Sequence, residues 1–335
     1  MGAGAIGGFL GLHAAHGGAR VTLVGRARIT PRSPDLCVHR LDGRQLRCSP
    51  SVMLSDDAAA LVDADIVLIT VKSRDSAAVG EHLAKLLPKH TPLVSFQNGL
   101  ENLHRLGRSL GPRVIAGMVS FNVVRDGSIL RQASTGPLIA GLGAPEQRPL
   151  LRDLATALEA GGQALELRED IVDIVAGKLL LNLSNGVGAA TGLPIVATLR
   201  SRDARWCFSR CIREGIDALE RAGYRPRNVI GLPPRAIASL LRLPDMIVLR
   251  VAHRLVKLDA NARSSTLQDL DAGKPTEIGD LNGAIAELAA SHGLRAPANK
   301  TIAAIVRELE GSQPPLAFLS PTQLRERIVA ASRAP

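Results

Sequence analysis

The glycine-rich opening of the chain constrains its fold more than any other feature. Residues 2–7 read Gly-Ala-Gly-Ala-Ile-Gly, residues 5–17 have helical spacing, and residues 20–25 form an apolar run typical of a buried strand. Glycines at this spacing let the backbone approach a pyrophosphate, which then lies on the N-terminus of the following helix. GxGxxG alone is weak evidence, but the strand that follows favours a dinucleotide-binding βαβ unit. The candidate cofactor-contacting residues are Gly2, Ala3, Gly4, Ala5, Ile6 and Gly7.

The rest of the first half alternates apolar runs with helical patterns. We expect strands at 65–71, 91–96, 114–122, 127–141 and 163–167, a helix at 75–87, and a hairpin at 36–48 around Asp42-Gly43. Because strands that alternate with helices are joined by right-handed crossovers, this order predicts a parallel, doubly wound sheet.

The second half has a different pattern. Amphipathic stretches at 169–190, 203–223, 234–257 and 279–310 carry helical periodicity, and strand patterns are almost absent. The sequence therefore predicts two domains, an α/β dinucleotide-binding domain over 1–167 and an all-α substrate domain over 168–335.

Composition narrows the class of protein. The net charge of +10 is spread over both halves without a basic block, and only 2% of residues are aromatic, so an anionic small molecule fits at least as well as nucleic acid. The four cysteines form no CxxC pair, and no metal site is expected. The uncharged run 179–199 is long enough to span a membrane but contains Asn, Gly and Pro residues that a simple membrane helix disfavours. We expect a cytoplasmic protein with neither nucleic-acid nor membrane partners.

Three polar residues follow predicted strands and are candidates for the cofactor site. Arg26 stands where an NAD enzyme would place an acid against the adenosine ribose, and an arginine there suits the 2′-phosphate of NADPH. Lys72 and Asn98 come at the carboxyl ends of two further strands, where this fold places its ligands. The alternatives are a solvated arginine, a loop lysine and an Asn-Gly turn.

A polar stripe within the apolar stretch 169–190 is the strongest candidate for catalysis. On a helix, Lys178, Asn182 and Asn185 lie within about 60° of one another, and leucines flank them. A lysine in such surroundings can have a lowered pKa and donate a proton near neutrality. The alternative is a lysine that reaches solvent beside two capping asparagines. Glu277 is interpreted as the start of a helix, either as an acid favoured by the helix dipole or as a carboxylate that positions Lys178.

Together these segments resemble the ketopantoate reductase (2-dehydropantoate 2-reductase) family over nearly the whole chain. The matching motifs are the GxGAIG opening, Val71-Lys72, Gln97-Asn98-Gly99, Lys178-xxx-Asn182 and the blocks 264–269 and 276–278. The expected fold is a Rossmann-type α/β N-terminal domain, with its first strand missing, followed by an all-α C-terminal domain. The resemblance implies NADPH-dependent reduction of a 2-oxo acid, ketopantoate, to a 2-hydroxy acid in pantothenate and coenzyme A synthesis.

The resemblance also implies roles for individual residues. Lys178 is the proton donor and contacts the substrate, Asn182 and Ser265 hold the substrate, and Lys72, Asn98 and Glu277 contact the cofactor. The family usually has a second asparagine eight residues after the lysine, where this chain has Gly186, and Asn185 is our candidate substitute.

Two other functions stay open. A reductase of the same family could act on a different 2-oxo acid, which the departure at Gly186 allows. A non-catalytic NADP-binding regulator is disfavoured, because a regulator need not keep proton-transfer groups. A homodimer is also left open.

The N-terminus carries a separate expectation. Only Met1 precedes Gly2, so the strand that should lead into the glycine turn is missing. Its loss would leave backbone groups of the second strand unpaired, at about 1–3 kcal/mol each. We expect a chain that is short at its start, with weak NADPH binding or low stability, and an apolar strand encoded upstream.

Overall fold

The computed structural model describes residues 1–26, 36–48, 51–229, 231–255, 262–313 and 315–333. The chain forms two compact units, unit 1 (Met1–Val172) and unit 2 (Asp173–Pro335). The sequence predicts this boundary at residue 167, slightly before the observed one. Arg26 lies within the described residues, and residues 256 and 257 of the predicted helix 234–257 lie outside them.

Unit 1 combines strands and helices. Its strands are β1 (Val21–Val24), β2 (Cys37–His39), β3 (Gln45–Arg47), β4 (Val52–Ser55), β5 (Val67–Ile69), β6 (Leu93–Ser95), β7 (Val114–Val119), β8 (Val123–Asp126), β9 (Ile129–Gln132), β10 (Leu138–Gly141) and β11 (Leu165–Arg168). Its α-helices are α1 (Ala5–His16), α2 (Ser76–Leu86), α3 (Glu101–Leu110) and α4 (Arg148–Ala160).

Parallel strands form the centre of unit 1. Strands β5, β6 and β7 pair in parallel, with Val67 opposite Leu93 and Leu93 opposite Val114. Strand β10 runs antiparallel to β7 and parallel to β11, which gives the order β11-β10-β7-β6-β5. Strand β1 pairs in parallel with β4, and β3-β2-β9-β8 form a separate sheet. The predicted Rossmann-type α/β class is confirmed, with one antiparallel pair in an otherwise parallel sheet.

The range 127–141, where short strands are expected, contains two strands, β9 and β10, which belong to different sheets. Pro137 has no N–H for a ladder, and a Cβ at Gly136 would overlap the carbonyl of Ser120. Strand β9 therefore ends before this dipeptide and β10 begins after it. The predicted hairpin is confirmed, since β2 and β3 pair antiparallel on either side of a turn in which Gly43 has φ +83°.

The first residues of the chain connect β1 with β5, although they form no regular strand. The amides of Gly2 and Ala3 both donate to the carbonyl of Val24, at 2.8 and 3.0 Å. On the other side, the Thr70 amide donates to the Met1 carbonyl at 2.9 Å, and the Met1 amino group donates to the Leu68 carbonyl at 2.7 Å. These bonds place the glycine turn between the ends of β1 and β5.

Helix α1 is anchored along most of its length, and this fixes where its N-terminus lies. Phe9 and Leu10 are fully buried in the core of unit 1. At its other end the chain packs so closely on α4 that a Cβ at Gly17 would overlap the carbonyl of Ala157. A helix held this firmly can present its first turn to a ligand in a fixed place.

Unit 2 is all-helical over its described residues. Its helices are α5 (Ile171–Thr191, which begins at the end of unit 1), α6 (Ile195–Arg200), α7 (Arg202–Arg221), α8 (Pro234–Leu240), α9 (Asp245–Leu255), α10 (Ser265–Asp271), α11 (Asn282–Ser291), α12 (Pro297–Glu310) and α13 (Pro321–Arg333). Two predicted helices are each divided: the stretch 234–257 breaks before Pro244, and 279–310 breaks at Gly293, where φ is +70°. Proline and a left-handed glycine both end a helix.

Helix α5 lies in the core of unit 2. It is long and apolar enough to cross a membrane, but most of its apolar stretch is buried inside the protein, as expected for a core helix.

The fully buried Arg205 of α7 stabilises the same unit by donating to backbone carbonyls at the ends of α6 and α8 and to the Asp245 carboxylate at 2.5 Å. These partners satisfy a guanidinium that would otherwise be costly to bury.

Candidate active site

The glycine turn of unit 1 is built so that only glycine fits at two of its positions. Gly2 has φ +104°, and a Cβ there would lie 2.7 Å from the carbonyl carbon of Thr70. A Cβ at Gly7 would overlap the carbonyl of Gly2 and lie 2.5 Å from the Thr70 hydroxyl. That hydroxyl donates to the Gly2 carbonyl at 2.7 Å. The packing requires these glycines whether or not a ligand is bound.

The space above the turn suits an anion. Nothing lies within 4 Å of a Cβ built at Gly4, the residue before α1. No described side chain caps α1, and its first turn holds no acidic residue, so its N–H groups and positive dipole end remain for a ligand. The turn therefore forms a cradle that fits the pyrophosphate of a dinucleotide, and its residues are Gly2, Ala3, Gly4, Ala5, Ile6 and Gly7.

Arg125 is a residue of this region that the sequence did not reveal. Its guanidinium donates to the Ala3 carbonyl at 2.6 Å and to the Gly127 carbonyl at 3.0 Å, and burial lowers its pKa. It holds the glycine turn from strand β8, more than a hundred residues away in the chain. No local pattern signals such a contact.

Each of the three strand-end candidates follows a parallel strand, two of them in the five-stranded sheet and one in the sheet of β1 and β4. Lys72 follows β5 and Asn98 follows β6, and because these strands pair in register, both residues lie at the same edge of the sheet. Arg26 follows β1, next to Gly25, whose amide donates to Ser55 at the end of β4. Arg26 and Lys72 are exposed and Asn98 is half-buried.

The structure separates the two neighbouring amides of the 96–99 loop. Gln97 is buried, and its amide donates to the Val71 carbonyl at 2.8 Å and to the Ser76 hydroxyl at 2.7 Å. The buried Asn102 completes this network by donating to the Asn98 carbonyl at 2.8 Å. Gln97 therefore fixes the loop, whereas the neighbouring Asn98 is only half-buried.

In unit 2, α5 carries the polar stripe. Lys178, Asn182 and Asn185 are all half-buried, whereas Leu179 and Leu183 beside them are buried. Burial lowers the pKa of Lys178 to about 8, and the negative charge of Glu277 opposes part of that shift. The stripe is thus a partly enclosed set of one cation and two amides on a single helix face.

Glu277 does not begin a helix, so its interpretation as a first-turn acid is wrong. It precedes a short 3-10 turn (Ile278–Asp280), and α11 begins only at Asn282. The residue between them, Leu281, has φ −108° and ψ −98°, a conformation that interrupts helical geometry. The chain instead brings the half-buried Glu277 close enough to Lys178 to act on its charge.

The two serines at the start of α10 have different environments. Ser264 is buried and caps the helix, accepting a hydrogen bond from the Leu267 amide at 3.3 Å. Ser265, the first residue of the helix, is exposed. Of the pair, Ser265 has the side chain that a substrate could reach.

Gly186 faces the interior of unit 2. A Cβ there would overlap Oδ1 of Asn282 and lie 2.7 Å from Ile302. Asn282 is fully buried and donates to Asn299 Oδ1 at 3.0 Å, so it cannot easily move aside. The space that an asparagine side chain would need at position 186 is therefore occupied by Asn282, which packs against α5. Asn185 is half-buried and lies on the same face of α5 as Lys178.

Both halves of the chain are similar to proteins of one known family. Residues 1–144 match the family "Ketopantoate reductase PanE/ApbA", and residues 170–310 match "Ketopantoate reductase PanE/ApbA C terminal". A 2-dehydropantoate 2-reductase from Halobacterium salinarum is 28% identical over 317 residues, covering 92% of this chain and 96% of the relative.

Solved structures match nearly the whole chain as well. A PanE/ApbA family ketopantoate reductase from Ralstonia eutropha JMP134 has a TM-score of 0.76 at 27% identity, covering 93% of this chain and 97% of that one. D-mandelate dehydrogenase with NADH and anilino(oxo)acetate has a TM-score of 0.74 at 14% identity, covering 92% and 97%, and shares the fold. With both halves matched in order, the chain belongs to the ketopantoate reductase family of nicotinamide-dependent oxidoreductases.

Proposed function

We propose that this protein reduces 2-dehydropantoate to pantoate with NADPH, in the cytoplasmic synthesis of pantothenate and coenzyme A. The observation that carries the proposal is the half-buried Lys178, whose pKa is lowered to about 8 beside Glu277, in a chain of this family. A lysine with this pKa is still protonated at neutral pH, by about ten to one, yet gives up its proton readily.

In the proposed reaction, Nζ of Lys178 donates its proton to the carbonyl oxygen of the 2-oxo acid. Its positive charge also stabilises the alkoxide as that oxygen becomes negative. When bound, NADPH supplies the hydride. The Glu277 carboxylate keeps Lys178 charged against the effect of burial, because its charge raises the pKa that burial lowers.

Substrate binding is assigned to the polar residues around Lys178. The amides of Asn182 and Asn185 and the hydroxyl of Ser265 can hydrogen-bond a carboxylate or hydroxyl group. Their half-buried or exposed positions support this assignment. Lys178 itself contributes a charge that favours an anionic substrate.

Cofactor binding is assigned to unit 1. The backbone of residues 2–7 would hold the pyrophosphate, with Lys72 and Asn98 at the adjoining strand ends. By analogy with the family, Glu277 is a further cofactor contact. Arg26 carries the preference for NADPH, because an exposed arginine after β1 suits a 2′-phosphate.

The direct test follows the loss of NADPH absorbance with a panel of 2-oxo acids. We expect the highest kcat/KM with 2-dehydropantoate. A clear preference for another 2-oxo acid would assign the chain to a different reduction within the family, and NADPH binding without turnover of any of them would favour a regulator.

We also propose a homodimer. Three exposed apolar side chains lie near the start of α9, namely Leu243 just before the helix and Met246 and Ile247 in its first turn, and Met246 is 84% exposed. Light scattering should give twice the chain mass, and Met246→Asp should shift it towards the monomer. A monomeric wild type at micromolar concentration would contradict this assembly.

A further inference from the structure

The short segment that carries Glu277 is attached at both ends to one helix, α12. At the first end, the Thr276 amide donates to the Glu310 carboxylate at 2.7 Å, and the Thr276 hydroxyl donates to the same oxygen. That hydroxyl also accepts a hydrogen bond from the Ile278 amide at 3.2 Å. Thr276 thereby ties the backbone on both sides of Glu277 to the last residue of α12.

At the other end, Asn282 contacts the first turn of the same helix. Its amide donates to Oδ1 of Asn299 at 3.0 Å, and it also approaches the Leu183 carbonyl of α5 at 3.5 Å. Its own oxygen packs against Gly186, with no hydrogen-bond donor among the described residues. Because Gly186 has no side chain, Asn282 can sit directly on the helix that carries Lys178.

Helix α12 is in turn fixed by a buried carboxylate. Glu214 of α7 accepts hydrogen bonds from the amides of Ala298 and Asn299 and from the Asn299 side chain, each at 3.0 Å. This satisfies the free N–H groups of the first turn and orients Asn299 towards Asn282. The first turn of α12, which contacts the segment 276–282 at Asn282, is therefore buried and rigidly held.

We propose that Thr276 and Asn282 are positioning residues, which clamp the segment 276–282 between α12 and α5 and so hold the Glu277 carboxylate against Lys178. The inference rests on the proposed function, in which this pair carries the proton transfer. Neither residue touches the reacting atoms in this proposal. Both act through the position of Glu277.

The clamp has a consequence that a purely structural role does not share. Glu277 raises the pKa of Lys178, and this effect weakens as the two charges separate. Releasing the clamp should therefore lower the pKa of Lys178, so that the proton donor is lost at a lower pH. The alkaline limb of the kcat profile should therefore move towards acid.

The test compares Thr276→Val with Thr322→Val. Thr322 also donates to a surface carboxylate in unit 2, Asp203, at 2.9 Å, so its variant controls for the loss of such a bond. We expect Thr276→Val to lower kcat at pH 8 by about threefold to tenfold, a part of the full general-acid factor, and to shift the alkaline limb. Thr322→Val should leave both unchanged.

Glu277→Gln shows whether Thr276 acts through the carboxylate. In that background Thr276→Val should cause no further shift, because the charge it positions is gone. An equal shift with and without Glu277, or no shift in the single variant, would overturn the proposal. Asn282→Ala should shift the alkaline limb in the same direction as Thr276→Val. Asn282 is buried, so if Asn282→Ala does not fold, the result for Thr276→Val alone decides the test.

A measurement without turnover separates this proposal from the proposed function. The pH dependence of reductive methylation at Lys178, read by mass spectrometry, reports its pKa directly, and the six other lysines serve as internal references. If the wild type reduces no 2-oxo acid, the proposed function fails while this readout still tests the clamp. An unchanged Lys178 profile in Thr276→Val would refute the clamp even in an active enzyme.

Discussion

Replacing Lys178 by methionine should make the protein more stable and nearly inactive. In the folded chain burial lowers the pKa of Lys178 from 10.5 to about 8, which means that the charged form is disfavoured by folding. One pKa unit corresponds to about 1.4 kcal/mol, so the shift sets an upper limit of about 3 kcal/mol. Because the side chain is only half-buried, we expect Lys178→Met to raise the free energy of unfolding by about 1–3 kcal/mol at pH 7.

The sign of the pH dependence follows from the direction of the shift. Below pH 8 the lysine is charged in both the folded and unfolded chain, and its full cost to stability is present. As pH rises from about 8 towards 10.5, the folded state loses its proton first and the cost disappears. The stability difference between variant and wild type should therefore be largest near pH 7 and decrease through this window.

Urea unfolding at pH 7 and at pH 9.5 measures this difference, with Lys300→Met as the matched control. Lys300 is exposed on α12, and its replacement should change the unfolding free energy by less than about 0.5 kcal/mol. In parallel, Lys178→Met should lower kcat by about 10²–10⁴-fold and retain NADPH binding. A variant that is less stable than the wild type at pH 7, or that keeps normal turnover, would refute the assignment of Lys178 as a destabilised proton donor.

Three further predictions concern the cofactor cradle and the core. Arg26→Ala should raise the Kd for NADPH about tenfold and leave the Kd for NADH unchanged, as measured by fluorescence titration, and equal affinity of the wild type for both would reject the role of Arg26. Gly7→Ala should lower the free energy of unfolding by about 1–3 kcal/mol in urea, because its Cβ overlaps the Gly2 carbonyl, whereas Gly4→Ala meets open space and should be neutral. Arg205→Met should cost at least about 3 kcal/mol by leaving several carbonyls unpaired, while the same change at the exposed Arg213 should cost little; similar melting temperatures would contradict this.

The sequence alone determined those features whose physics is local. The glycine turn was predictable because glycine spacing before a helix reflects steric limits that a few residues set. The polar stripe of Lys178, Asn182 and Asn185 was predictable because helical periodicity fixes which residues share a face. The order of strands and helices followed from the same periodicities, and the two-part fold followed from that order.

Only the tertiary structure determined which contacts form between residues that are distant in the sequence, and therefore which role each residue has. The sequence could not tell Gln97 from Asn98, because the difference lies in hydrogen bonds from Gln97 to Val71 and Ser76 on another strand end and helix. The sequence also placed Glu277 at the start of a helix, since acidic residues are common there, whereas in the structure α11 begins only at Asn282.

The same reason explains the departure at Gly186. The missing side chain looks like a loss in the sequence, but in the structure its space is filled by Asn282, nearly a hundred residues further along the chain. Local sterics and periodicity are properties of a few neighbouring residues, whereas the partner of a buried amide depends on which helices the whole unit brings together.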